Sequence, residues 1–135
     1  MTETMTSEIK ITKATQSTVN EVDLNNITMG KKFTDHMFVC DYENGEWQNP
    51  RIEPLAFIPT HPAAMALHYG QAIFEGMKAT LGKNGMPVLF RPDENAKRMN
   101  FSAERMGMPY FPEDLFVDAL KQFVAIEKNW IPTKE

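Results

Sequence analysis

Two Asn-Gly pairs constrain this chain more than any other feature, because each marks where a strand must turn back on itself. Asn-Gly is favoured in tight hairpins since both residues tolerate positive φ, which matches the right-handed twist of the flanking strands. The first hairpin runs from Phe38-Val39-Cys40-Asp41-Tyr42 through Glu43-Asn44-Gly45-Glu46 into a segment starting at Trp47. The second joins Met77–Leu81 to Met86–Phe90 across Lys83-Asn84-Gly85. Between them the stretch from Pro50 to Pro59 reads as extended. Its prolines have no N–H to give a ladder and suit an edge or crossing segment better than a central strand.

Helical periodicity follows the second hairpin. Pro92-Asp93 signals a start, after which Ala96, Met99, Ala103 and Met106 recur at spacings of three and four; Gly107 and Pro109 end the run. Asp93 and Glu94 fall in the first turn, where carboxylates favour the helix dipole. A second helix starts near Glu113, with Leu115, Phe116, Ala119, Leu120, Phe123 and Val124 as its apolar stripe, and ends before Pro132. Hairpins first and helices after predict the α+β class: an antiparallel sheet with helices packed on one face. Residues 1–20, rich in Thr, Ser, Glu and Lys, are expected to form an N-terminal arm without fixed order or a single peripheral strand. Residues 21–135 are expected to be the folded domain.

Bulk composition narrows the function. A chain of 135 residues with 42% hydrophobic and 24% charged residues suits one globular domain. Lys+Arg 14 against Asp+Glu 18 leaves a net charge of −4, which argues against a nucleic-acid or anionic-membrane surface. Cys40 is the single cysteine, so neither an intrachain disulfide nor a Cys-rich metal site is available. No apolar run approaches the roughly 20 residues of a membrane helix. Met1 to Lys13 lacks the apolar centre of a signal peptide, and the cytoplasm is the expected location. The ten methionines suit gap-filling in a core, with a mobile Met-rich binding surface as the other reading.

Two segments offer chemistry. His68-Tyr69-Gly70-Gln71-Ala72-Ile73-Phe74-Glu75-Gly76-Met77-Lys78 combines aromatic rings, glycines and polar tips, the ingredients of a small-molecule pocket. The same residues equally suit a helix-to-strand junction with Phe74 in the core. In Leu89-Phe90-Arg91-Pro92-Asp93, Arg91 ends a strand just before a helix start. Its planar fork could there meet a phosphate or carboxylate, helped by the positive helix end, or simply pair with Asp93 or Glu94 on the surface. His36, His61 and His68 are too scattered for a metal site. No Gly-x-Ser-x-Gly elbow and no glycine-rich phosphate loop occurs.

Taken in order, Phe33-Thr34-Asp35-His36-Met37, His61-Pro62, His68 to Ala79, Leu89 to Asn95 and Arg98-Met99-Asn100 resemble the branched-chain aminotransferases. Those are fold-type IV enzymes dependent on pyridoxal 5′-phosphate, and the resemblance runs from about Thr28 to Pro132. It implies the family's small N-terminal domain, with the large cofactor-binding domain absent from this sequence. It further implies that Arg91 binds the cofactor phosphate and that Tyr69 and Phe74 line an apolar substrate pocket. Leucine, isoleucine and valine would donate the amino group, and 2-oxoglutarate would accept it. A homo-oligomer is implied as well. Met29 stands where some relatives carry a phenylalanine facing that pocket, and Phe101 where many carry a polar residue. The lysine that holds the cofactor in this family is expected beyond the chain end, so no catalytic residue is assigned and the chain alone is expected to be inactive. A non-catalytic interaction domain and a related fold-type IV enzyme, such as a D-amino acid aminotransferase or a lyase, are the competing expectations. A domain separated from its larger neighbour is also expected to expose apolar surface.

Overall fold

Asn44 and Gly45 both take positive φ, 54° and 88°, and close the first hairpin with a two-residue turn. In the computed structural model, which describes residues 8–28 and 30–133, this turn joins β2 (His36–Glu43) to β3 (Glu46–Pro54). The strands are antiparallel and in register from His36↔Pro54 to Glu43↔Glu46, with one irregularity between Val39 and Asp41. Met29 lies outside the described residues.

That irregularity corrects the reading of the prolines. β3 is the central strand of a three-stranded sheet, between β2 and a short N-terminal strand. Pro50 is tolerated there because Val39 pairs with Arg51 and Asp41 with Gln48, so Asn49 and Pro50 together face Cys40. This is a bulge, where a residue is left out of the ladder and a missing N–H costs nothing. Asn49, with φ of 52°, supplies the left-handed turn of the bulged strand. The sheet is also not wholly antiparallel. β1 (Lys10–Ile11), from within the 1–20 segment, pairs with β3 in parallel through Lys10↔Arg51 and Ile11↔Ile52. Ile9 beside it is buried in the core.

The second hairpin stands apart as its own two-stranded sheet, β4 (Ala79–Leu81) with β5 (Pro87–Leu89). Only Gly85 takes positive φ here, 71°, and Asn84 instead accepts the Met86 N–H through its side chain at 3.1 Å. Between the two sheets the chain forms no regular element except α1 (Met65–Tyr69), a single turn of helix too short to show periodicity in the sequence.

α2 (Pro92–Arg105) and α3 (Glu113–Ile126) occupy the ranges their periodicity predicts. Proline at the first helical position of α2 has no N–H to orphan, and Gly107, at φ 63°, ends it. The Met108 N–H reaches the Ala103 carbonyl at 2.8 Å and the Gly107 N–H that of Glu104 at 3.1 Å, which satisfies the last carbonyls. The buried stripe of α2 is Ala96, Asn100 and Ala103, not the run through Met106. Asn100 is buried because its amide pairs with both backbone groups of Phe111: it donates to the carbonyl at 2.9 Å and accepts from the N–H at 2.8 Å. Phe111 then packs edge-on against Trp47, with ring centres 4.8 Å apart. The α2–α3 connection is thereby fastened to the first hairpin.

The core lies where α3 meets the three-stranded sheet. Ile9, Ile52 and Ala119 are buried together, with Phe38, Leu115, Phe123 and Ile126 packed around them. A polar clasp closes its edge. Asp35 accepts from Ser17 Oγ at 2.5 Å, the Thr18 N–H at 2.9 Å, Thr18 Oγ1 at 3.1 Å and Trp130 Nε1 at 2.9 Å. Desolvation pushes this carboxyl up, but the four donors outweigh it and hold the pKa at about 2 against an ordinary 3.8. A carboxylate depressed in the folded state stabilises fully above its unfolded value, and that contribution disappears as pH falls toward the folded one. Asp35→Asn is therefore expected to flatten the loss of stability between about pH 4 and about pH 2, followed by urea midpoints across that range. An unchanged acid limb would remove Asp35 from the explanation of acid sensitivity.

Candidate functional site

Arg91, Tyr69 and Phe74 sit on the part of the chain that the core does not engage. Arg91 ends the β5 hairpin and caps α2 from the left-handed region, at φ 47° and ψ 54°. Such a conformation costs a non-glycine residue of order 1 kcal/mol and turns the side chain away from the strand that precedes it. The Arg91 side chain is 63% exposed, and its Nη2 lies 3.4 Å from Glu94 Oε1. Glu94 in turn is bound by Lys97 Nζ at 2.9 Å. Both pairs are exposed and weak, so the surface ion pair foreseen for Arg91 is present and is easily exchanged for another anion. Lys97 is thus occupied by Glu94, and by Asp93 at 3.9 Å, on the helix surface.

Tyr69 is the last residue of α1, and Gly70 follows at φ 62° as its left-handed cap. From there the backbone to Lys78 has neither helix nor strand. The junction reading of this segment is therefore realised in the backbone, but its aromatic residue is not in the core. Phe74 is 90% exposed and Tyr69 77%. Phe57 and Phe90 stand out in the same way at 102% and 83%. Phe101, on α2, is exposed as well.

Side chains tie the segment to α2. Gln71 Nε2 donates to the Met106 carbonyl at 2.9 Å near the end of the helix. Nearer its start, Glu75 accepts two hydrogen bonds from Arg98 and one from Asn95. The hydrogen bonds from Arg98, ahead of those from Asn95, hold the Glu75 carboxyl below the usual carboxylate range despite its desolvation. This buried carboxylate is not evident from the sequence. The signal available was a carboxylate in the segment and Asn95 with Arg98 three residues apart on one helix face.

The arrangement fits one end of a phosphate-bearing cofactor. A guanidinium held at a helix start, open to solvent and paired with an exposed carboxylate, can present two parallel N–H donors to phosphate oxygens. The exposed rings of Tyr69 and Phe74 can form an apolar wall, but only against surface contributed from elsewhere. His36 takes no part in this region. It is buried beneath the arm, bonded to Glu127 and accepting the Ala14 N–H at 2.8 Å. Among the described residues no group of three or more His, Cys, Asp or Glu side chains could hold a metal ion, and no helix is long and apolar enough to cross a membrane.

No protein-family profile matches the chain. Individual curated proteins do. Branched-chain-amino-acid transaminase 1 of Bacillus subtilis strain 168 is 48% identical over 114 residues, 84% of this chain and 32% of that protein. Branched-chain-amino-acid aminotransferase 2 of the same strain is 42% identical over 132 residues, covering 97% of this chain and 36% of its own length. The branched-chain-amino-acid aminotransferase of Mycolicibacterium smegmatis is 44% identical over 115 residues, 84% of this chain and 31% of that enzyme. The chain thus spans about a third of the length of the curated relatives it matches.

Proposed function

We propose, from this sequence kinship with the branched-chain aminotransferases, that the chain is the small N-terminal domain of such an enzyme. The whole enzyme transfers the amino group of leucine, isoleucine or valine to 2-oxoglutarate with pyridoxal 5′-phosphate, in the cytoplasm and as a homo-oligomer. The identity of 42–48% across 84–97% of the chain carries the reading. The exposed Arg91 fork at the start of α2 supports it.

When bound, pyridoxal 5′-phosphate supplies the electron sink that makes an amino acid's Cα proton removable. The work of this chain is to bind and to exclude water. Arg91 would hold the phosphate through the two parallel N–H donors of its guanidinium, which is now paired with the exposed Glu94. Tyr69 and Phe74 present apolar surface to the substrate side chain, where each buried methylene is worth about 0.8 kcal/mol. That increment favours branched aliphatic side chains over alanine without any charged contact.

The test has two arms. The 135-residue chain alone is expected to show no transaminase activity and no borohydride-reducible cofactor attachment at a specific lysine. In a cofactor-loaded enzyme carrying this domain, Arg91→Ala is expected to weaken cofactor affinity about a hundredfold, the value of two charge-assisted hydrogen bonds lost together. Specific attachment to a lysine of the isolated chain would overturn the domain reading, and unchanged affinity would overturn the role of Arg91.

A further inference from the structure

Residues 70–78 must hold Phe74 in place without ladder or helix hydrogen bonds, so side-chain contacts have to define the loop. The Glu75 side chain is 8% exposed although both its neighbours, Phe74 and Gly76, are exposed. Its carboxylate receives Arg98 Nε at 2.8 Å on one oxygen, and Arg98 Nη2 at 2.5 Å with Asn95 Nδ2 at 2.8 Å on the other. The Asn95 amide also reaches the Gly76 carbonyl at 3.3 Å. A bidentate arginine with a third donor fixes both the position and the plane of a carboxylate, unlike the single-contact pairs around Lys97.

We propose that Glu75 is a positioning residue for Phe74. By inserting its carboxylate between Asn95 and Arg98, it fastens the aromatic wall to the same helix that starts directly after Arg91. The wall and the phosphate-binding arginine are then carried by one rigid element. The proposal rests on the reading above that Phe74 lines the substrate pocket. Its consequence falls on substrate binding, since the Glu75 carboxylate is already taken up by Arg98 and Asn95 and acts through its neighbour.

Glu75→Gln tests it with little change of volume. The substituted amide sets its NH2 either against Arg98 Nε, losing one contact, or against both Arg98 Nη2 and the Asn95 amide, losing two, so donor faces donor whichever way it turns. Hydrogen exchange of the 135-residue chain is expected to speed up about tenfold at amides 72–78, with β2, β3 and α3 unchanged. Arg98→Lys, which keeps a charge but not the fork, is expected to give a smaller rise at the same amides and serves if the glutamine variant does not fold. In the cofactor-loaded enzyme, Glu75→Gln is expected to raise KM for leucine, isoleucine and valine about fivefold while kcat and cofactor affinity hold. Unchanged exchange at 72–78, an equal rise across the whole domain, or a loss in kcat at constant KM would each overturn the proposal. An enzyme with native Glu75 that fails to transaminate would instead overturn the functional reading, and the exchange result would still decide whether Glu75 fixes the loop.

Discussion

Ile52→Ala is expected to lower the unfolding free energy by about 3–4 kcal/mol, read as a shift of the urea midpoint at constant slope. Among the described residues Ile52 is the largest side chain that is completely buried. It pairs with Ile11 of β1 on one side and with Phe38 of β2 on the other, and shares its cluster with Ala119 of α3. Truncation therefore opens a cavity at the one place where all three strands and a helix meet. Ala119 and Ile9 are too small or too peripheral to fill it without moving the sheet. The usual stability of a domain is only about 5–15 kcal/mol, so this loss is a large share. Ile52→Val, which removes one methylene, is expected to cost about 1 kcal/mol. A loss below about 1 kcal/mol for the alanine variant would mean that the core collapses freely around the gap.

The sequence disclosed what depends on local chemistry. Asn44-Gly45 dictates a hairpin because few other pairs accept two consecutive positive φ values, and the structure uses both. Pro92 and Gly107 bound α2 for equally local reasons. Long-range compensation was not legible. Pro50 argued against a central strand, yet the bulge opposite Cys40 removes the objection, and nothing near Pro50 announces a bulge. The parallel pairing of Lys10–Ile11 with β3 depends on chain return and not on any turn signal. Asn100 falls outside the periodic run of Ala96, Met99, Ala103 and Met106 and is nonetheless buried, because its partner is the backbone of Phe111. For the candidate site, Arg91 was marked by its place between a strand and a helix start. The composition of the segment holding Tyr69 and Phe74 left pocket and junction both open, only family resemblance chose the pocket, and the exposure of the two rings shows why periodicity alone could not.

This division follows the physics of the domain. The first hairpin, β1 and α3 form a packed body in which each element buries a face against another. The stretch from Leu55 to Met77 buries little, with Leu55, Phe57, Ile58, Met65, Leu67, Tyr69, Phe74 and Met77 all exposed. A sequence that keeps so many large apolar residues outside its own core gives them another use, in a binding or pairing surface. The aromatic residues of the candidate site lie in that second part, which side-chain hydrogen bonds attach to α2. Its geometry is therefore sensitive to single polar substitutions that leave the core intact.

The opposite situation holds at His36, where one polar substitution is expected to damage the core itself. His36→Leu is expected to cost about 3–5 kcal/mol. The imidazole is 8% exposed and Glu127, its partner across the sheet-helix boundary, is 5% exposed. Because Nε2 accepts the Ala14 N–H at 2.8 Å, the ring proton sits on Nδ1 and is donated to Glu127. Leucine fills the ring's space but leaves a buried carboxylate without its donor and a backbone N–H without its acceptor. Removing the carboxylate too should reverse most of the damage. The double variant His36→Leu/Glu127→Leu is expected to recover more than half of the lost stability, the remainder being the unpartnered Ala14 amide. Urea unfolding of the parent, both single variants and the double closes the cycle. A double variant no more stable than His36→Leu would show that the imidazole matters for its packing under the arm, and that the buried carboxylate is not what penalises its loss.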